Sequence, residues 1–162
     1  HKEYRRQRQM CIRDSLYSAR ILTLAANLPH AGRLPVPEGT GERVAKLCGS
    51  RATVDVTLDD QGRITDFAQD VKACALGQAA AGVLGQHVLG ASADEIAEAR
   101  DAMTAMLKSG GDGPTGRFED LRLLKQVADY PARHASTLVS LEATLEAVNA
   151  ALAARTRLAG AA

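Results

Sequence analysis

The sequence predicts an α+β fold: a small three-stranded antiparallel sheet covered by helices, with one helix before the sheet and about four after it. Three observations carry this. Residues 52–58 and 63–69 flank a turn, the first of them alternating apolar and polar with period two. From Ala75 onward the apolar residues recur at helical spacing. Strand-like stretches therefore precede nearly all the helices, which places the helices on one face of an antiparallel sheet. Composition agrees, since 46% of the chain is hydrophobic while aromatics are 3% and Trp is absent. Such a core is built from Ala, Leu and Val and suits closely packed helices.

In chain order, Leu16 to Ala26 carries Leu16, Ala19, Leu22 and Ala26 at helical spacing. Asn27-Leu28-Pro29-His30 ends that helix, and a Pro- and Gly-rich loop through Gly41 reads as extended and mobile. A first strand is expected around Arg43 to Leu47. Val54, Val56 and Leu58 then alternate with Thr53, Asp55 and Thr57, so the strand pair has one core face and one wet face. Asp59-Asp60-Gln61-Gly62 supplies the turn between the two strands.

A helix follows from Cys74, rich in Ala and Gly. Ser92 with Glu95 three residues on matches a capping box, and the helix behind it turns Ile96, Ala99, Met103, Met106 and Leu107 inward. Gly110 to Pro114 stops it. A short helix from Phe118 to Ala128 presents Leu121, Leu124, Val127 and Ala128. Pro131 fits the first turn of the last helix, Ala132 to Arg155, whose stripe is Leu138, Leu141, Leu145, Val148 and Leu152.

Length favours one domain, spanning 16–158 with a tail at 159–162. Twenty basic residues against 19 acidic give no push toward nucleic acid or a membrane surface. No apolar run reaches membrane-spanning length without polar interruption. Three irregularly spaced cysteines do not make a secreted disulfide framework, and the expectation is a reduced, cytoplasmic protein. Residues 1–15 differ in kind, with five basic and two acidic residues and no apolar periodicity. The stretch Arg8 to Ser15 resembles the translation of a transposon-end sequencing adapter, so it is set aside from the fold, and Cys11 with it. Beyond Ser15 the chain has 15 basic and 17 acidic residues.

Chemistry centres on Cys74, at a helix start where unpaired N–H groups favour thiolate over thiol. Cys48 stands at a strand end before Gly49, and the hairpin between the two cysteines would bring both to one edge of the sheet. Two thiols 26 residues apart are a weak metal signal, and two inert buried cysteines are the alternative. His134 lies just inside the last helix; His30 and His87 are weaker candidates. Phosphate-loop, H-E-x-x-H and G-x-S-x-G motifs are absent.

The order of these motifs resembles the U-type iron–sulfur cluster assembly scaffolds, the family of IscU, SufU and the N-terminal domain of NifU, over about Leu16 to Ala151. The matching stretches are Asn27 to Leu34, Cys48-Gly49-Ser50, the strand pair Val54 to Phe67, Cys74 to Leu84, and Pro131 to Leu138. The resemblance implies a non-enzymatic scaffold of the SufE/NifU-like fold. Cys48, Cys74 and His134 match family ligands for an iron–sulfur cluster or iron, with zinc as the other metal thiolate and imidazole suit. It further implies cysteine desulfurase and other cluster-assembly proteins as partners, with a second copy of the chain as one source of a missing ligand. Two positions depart from the family: Ser50 stands where it has aspartate, and Ala135 where it has the third cysteine. A protein that keeps the fold and acts through interactions is the alternative function.

Overall fold

The computed structural model describes residues 19–47 and 49–161. Within them, helix α1 (Ala19–Ala26) leads into strands β1 (Gly39–Ala45), β2 (Ser50–Leu58) and β3 (Ile64–Lys72). Helices α2 (Ala75–His87) and α3 (Ala93–Ser109) follow, then a 3₁₀ segment (Gly116–Asp129), a single 3₁₀ turn (Pro131–Arg133) and the long helix α4 (His134–Ala161). The strands form an antiparallel sheet in the order β1-β2-β3. The α+β architecture is the one the alternation and the order of elements predict. Leu16 to Ser18 of the expected first helix lie outside the described residues.

Helix α4 lies along β1 and β2 and forms the floor of the sheet. Its buried residues run wider than one leucine stripe, taking in Val139, Ala143, Ala147 and Ala151 beside Leu138, Leu141 and Val148. The alanines are what let β1 come so close. A Cβ on Gly39 would sit 2.2 Å from the Ala147 carbonyl oxygen, and one on Gly41 2.2 Å from that of Ala143. The glycines that suggest a loop thus belong to a strand, and β1 begins at Gly39 rather than Arg43. At the other end of the long helix, the Arg155 guanidinium joins Glu38 and donates to the Leu58 and Asp59 carbonyls, locking the helix to the β2–β3 turn.

The sheet's other face is not wet along β2. Asp55 is fully buried and Thr53 nearly so, because the Pro/Gly loop is strapped across the strand. Arg33 donates to Asp55 through Nε (2.6 Å) and Nη2 (3.1 Å), and the Leu34 N–H and the Thr40 hydroxyl add two more bonds. Farther along, His30 and Gly32 exchange backbone bonds with Gln69, which covers part of the β3 edge. The loop expected to be mobile is tied at both the face and the edge of the sheet.

Helix α2 is buried on nearly all sides, and its small residues admit its neighbours: a Cβ on Gly82 would meet the Leu24 carbonyl of α1 at 2.7 Å. The Ser92 cap forms as expected, its hydroxyl accepting from Glu95 N, and the five core residues expected of α3 are the five it buries. The segment after it is 3₁₀ rather than α. Phe118, Leu121, Leu124 and Val127 fall every third residue, and in a 3₁₀ helix such residues stack on one face.

Candidate functional site

Cys74 is the N-cap of α2, in extended conformation directly after β3. Its sulfur is half-buried and lies 3.1 Å from the Ser136 hydroxyl on the first turn of α4. The Ser50 hydroxyl, at the start of β2, in turn donates to Ser136 Oγ at 3.2 Å. That bond uses a Ser136 lone pair and leaves the Ser136 proton for the sulfur. The two helix starts meet because α2 has glycine at the crossing: a Cβ on Gly77 would lie 2.9 Å from the Ser136 carbonyl and 3.0 Å from its hydroxyl. Burial alone would push the Cys74 thiol up. The Ser136 hydroxyl, the N–H groups of Gly77 and Leu76 and the charge of Arg133 outweigh it, and the thiol is held below its ordinary range.

His134 begins α4, two residues before Ser136. Residues two apart on a helix do not share a face, so the side that meets the Cys74 sulfur belongs to Ser136. The His134 ring is buried and its Nε2 stands 2.9 Å from the Val127 carbonyl and 3.2 Å from that of Ala128. Carbonyls only accept, so Nε2 is the donor and Nδ1 is the ring nitrogen left out of these bonds. Ala135, between the two, is exposed. Cys48 and Cys11 lie outside the described residues. The minor candidates are engaged elsewhere: His87 Nε2 is 3.2 Å from Asp120, and the His30 ring packs edge-on against Phe67.

Among the described residues, no group of three His, Cys, Asp or Glu side chains is gathered as a metal would need. Among the described residues the site offers one thiol with one hydroxyl against it, which does not by itself fit a four-ligand cluster. Ser136 is the site residue the sequence reading passes over. Its signal is a run of small polar residues, Ser136, Thr137, Ser140 and Thr144, all buried on a helix otherwise packed with Leu, Val and Ala.

The family model for the NifU-like N-terminal domain matches residues 16–137. The chain belongs to this family. Among solved structures, it is similar to the N-terminal NifU-like protein of Brucella abortus at 45% identity and TM-score 0.83, covering 88% of this chain and 98% of that one. A candidate iron–sulfur cluster assembly scaffold (SufU) for the SUF system of Fervidobacterium islandicum shares the fold at 20% identity and TM-score 0.74, covering 82% and 96%. Comparison with curated protein sequences gives no match. The family model and the Brucella abortus structure together identify the chain as a NifU-like, scaffold-type N-terminal domain. One helical stretch, Pro131–Gly160, is long and apolar enough to cross a membrane by length and composition, and 61% of its apolar window is buried inside the fold.

Proposed function

We propose that this NifU-like domain serves iron–sulfur cluster assembly through protein contacts, as an interaction or regulatory member of the system, in the cytoplasm and with cysteine desulfurase as its first partner. The observation that carries this is what surrounds Cys74. The Ser136 hydroxyl, itself held by that of Ser50, lies against its sulfur, and the α4 residue that meets it offers neither a second thiolate nor a carboxylate. Ala135 and Ser50 stand where the family's resemblance places a sulfur acceptor and an acidic group. The fold is retained in full while the ligand chemistry is thinned. Co-purification with a purified cysteine desulfurase tests the reading, using protein stripped of metal by a chelator. Retention of the desulfurase by metal-free protein is expected; binding only after metal is restored would defeat the reading.

A second reading has its own support. Cys74 is held toward thiolate, and His134 donates Nε2–H to backbone carbonyls, the arrangement that ligating histidines use to present the other nitrogen. On this reading Cys48, Cys74 and His134 hold iron, zinc or a labile cluster as cargo, with a further ligand from a partner or a second copy of the chain. Anaerobic reconstitution with iron and sulfide, followed by visible absorption and metal analysis, tests it. Equal metal in wild type and a Cys48→Ala/Cys74→Ala variant would rule it out.

A further inference from the structure

We propose that the open edge of β1, on the flank of the sheet, takes up an extended basic segment of a partner protein as a fourth strand. The inference rests on the reading that the chain works through protein contacts, and it names a surface along the flank rather than at the Cys74 end. In the order β1-β2-β3 the two outer strands are treated differently. The edge of β3 is covered where His30 and Gly32 bond to Gln69. Beside β1, no described element other than β2 and α4 makes more than passing contact. This strand is seven residues long, keeps one register with β2 throughout and contains no proline. Thr40, Glu42, Arg43 and Val44 are all exposed. Natural edges are closed by bulges, prolines, covering loops or charge, and of these β1 has only charge.

What lies beneath the edge decides what can occupy it. Helix α4 runs directly under β1 and in line with it: a Cβ on Gly39 would meet Ala147 and Ala151, and one on Gly41 would meet Ala143 and Ala147. Two copies joined edge to edge at β1 would set those strands about 4.8 Å apart. With each α4 directly under its own β1, the two helices would lie closer than the roughly 8–10 Å that packed helices need. A second copy is therefore shut out, whereas a single strand with nothing beneath it fits. Its side chains have room on the α4 side, in a groove of about 430 Å³ between β1 and α3 that Leu145 and Asn149 line.

Charge selects the segment. At the groove, Arg43 pairs with Glu146 at 3.0 Å and Arg100 with Asp101 at 2.9 Å, while Glu142 has no ion pair among the described residues. On the other face of β1, Glu42 also has none, and its carboxylate accepts from the Thr53 hydroxyl at 3.1 Å. An incoming strand alternates its side chains between these two faces and so meets a carboxylate on each. Lys or Arg is the residue that fits opposite them. Val44, 53% exposed and on the same face as Glu42, suits a β-branched neighbour. Backbone pairing supplies the affinity, and these side-chain contacts set the register. A nucleic acid or an anionic headgroup would meet the same two carboxylates and be repelled.

The test uses the full chain and a fluorescent nine-residue peptide in which Val and Thr alternate around a central Lys, with Lys at each end. A control of equal charge carries two adjoining prolines beside the central Lys, which remove one N–H from each edge of the strand. In anisotropy titrations the alternating peptide should bind at least about tenfold tighter than the control. Adding it should slow hydrogen exchange in β1 and leave β3 unchanged. Glu42→Lys should weaken binding about tenfold, whereas Asp112→Lys, the same charge change in the loop after α3, should leave it within about twofold. Circular dichroism confirms that each variant is folded, and the exchange result on wild type stands without them. Equal binding of the two peptides, protection of β3 instead of β1, or equal effects of the two charge changes overturns the proposal. So does a dimer in sedimentation that the peptide dissociates, which would make a second copy the occupant. Desulfurase co-purification separates this proposal from the reading it rests on. If metal-free protein retains the desulfurase and the two peptides bind alike, the edge is wrong and the interaction reading stands. If the peptides behave as expected and the desulfurase is not retained, that reading falls and the edge remains.

Discussion

Replacing Gly41 by alanine tests the contact on which the sheet's position depends. The added Cβ would lie 2.2 Å from the Ala143 carbonyl oxygen and 2.6 Å from the Ala147 nitrogen. Ordinary contacts between such atoms are near 3.5 Å, so strand or helix must move by about 1 Å. Both obstructing atoms are α4 backbone, which cannot rotate aside as a side chain would. Overpacking of this kind costs roughly 1–3 kcal/mol, and rigid neighbours place Gly41→Ala at or above the top of that range. Restriction of the unfolded chain returns about 0.4–1 kcal/mol. The net expectation is a loss of about 2–3 kcal/mol, read as a lower urea midpoint and a melting temperature down by roughly 5–10 °C. Gly160→Ala is the control, since a Cβ there meets nothing within 4 Å. Gly39→Ala should behave like Gly41→Ala, and the double variant should lose less than the sum, because a helix already displaced for one methyl accommodates the other. A Gly41→Ala protein that melts within a degree of wild type would refute the close-packed account of β1 and α4.

Three further outcomes follow from the same structure. Leu124→Ala, at a fully buried position of the 3₁₀ segment, should cost about 2–5 kcal/mol in urea unfolding, whereas an α-helical segment would not place Phe118, Leu121, Leu124 and Val127 on one face. Burial opposes ionisation of Asp55, but Arg33, Thr40 and the Leu34 N–H hold its carboxyl below the usual range. Its contribution is therefore present above the unfolded-state value near pH 4 and is lost as pH falls through the lower folded value; Asp55→Asn should flatten the acid limb of a stability-against-pH curve, and an unchanged limb would count against the strap. Ser136→Ala removes the hydroxyl that helps keep the Cys74 thiol low, so the alkylation rate of Cys74, followed by peptide mass spectrometry, should shift its pH profile upward. A profile that stays in place would mean the helix-start N–H groups and Arg133 suffice.

The parts of the fold legible in the sequence are those set by local pattern. Val54, Val56 and Leu58 announce a strand, Asp59 to Gly62 a turn, and Ser92 with Glu95 a helix start, because each signal resides in neighbouring residues. What could not be read comes from residues distant in the chain. Gly39 and Gly41 look like a loop until a helix backbone a hundred residues later is known to need the space of their missing side chains. Asp55 looks wet until Arg33 and Leu34 are laid over it. The 3₁₀ segment was read only as a short helix: its buried residues fall every third position, but Leu123 and Ala128 are apolar as well and blur that period into one close to 3.6.

The site divides in the same way. Cys74 could be singled out because a helix start acts on it locally, whereas Ser136 could not, because its importance depends on a crossing of two helix starts that Gly77 permits. This crossing also explains why the residue at position 135 takes no part in the packing between α2 and α4. Ala135 points outward, and the contact between α2 and α4 is made by the neighbouring serine, which Ser50 supports from the sheet. Packing at the start of α4 therefore falls on Ser136 and not on its exposed neighbour. A change of side chain at position 135 leaves that packing in place, and with it the hydroxyl that helps hold the Cys74 thiol low.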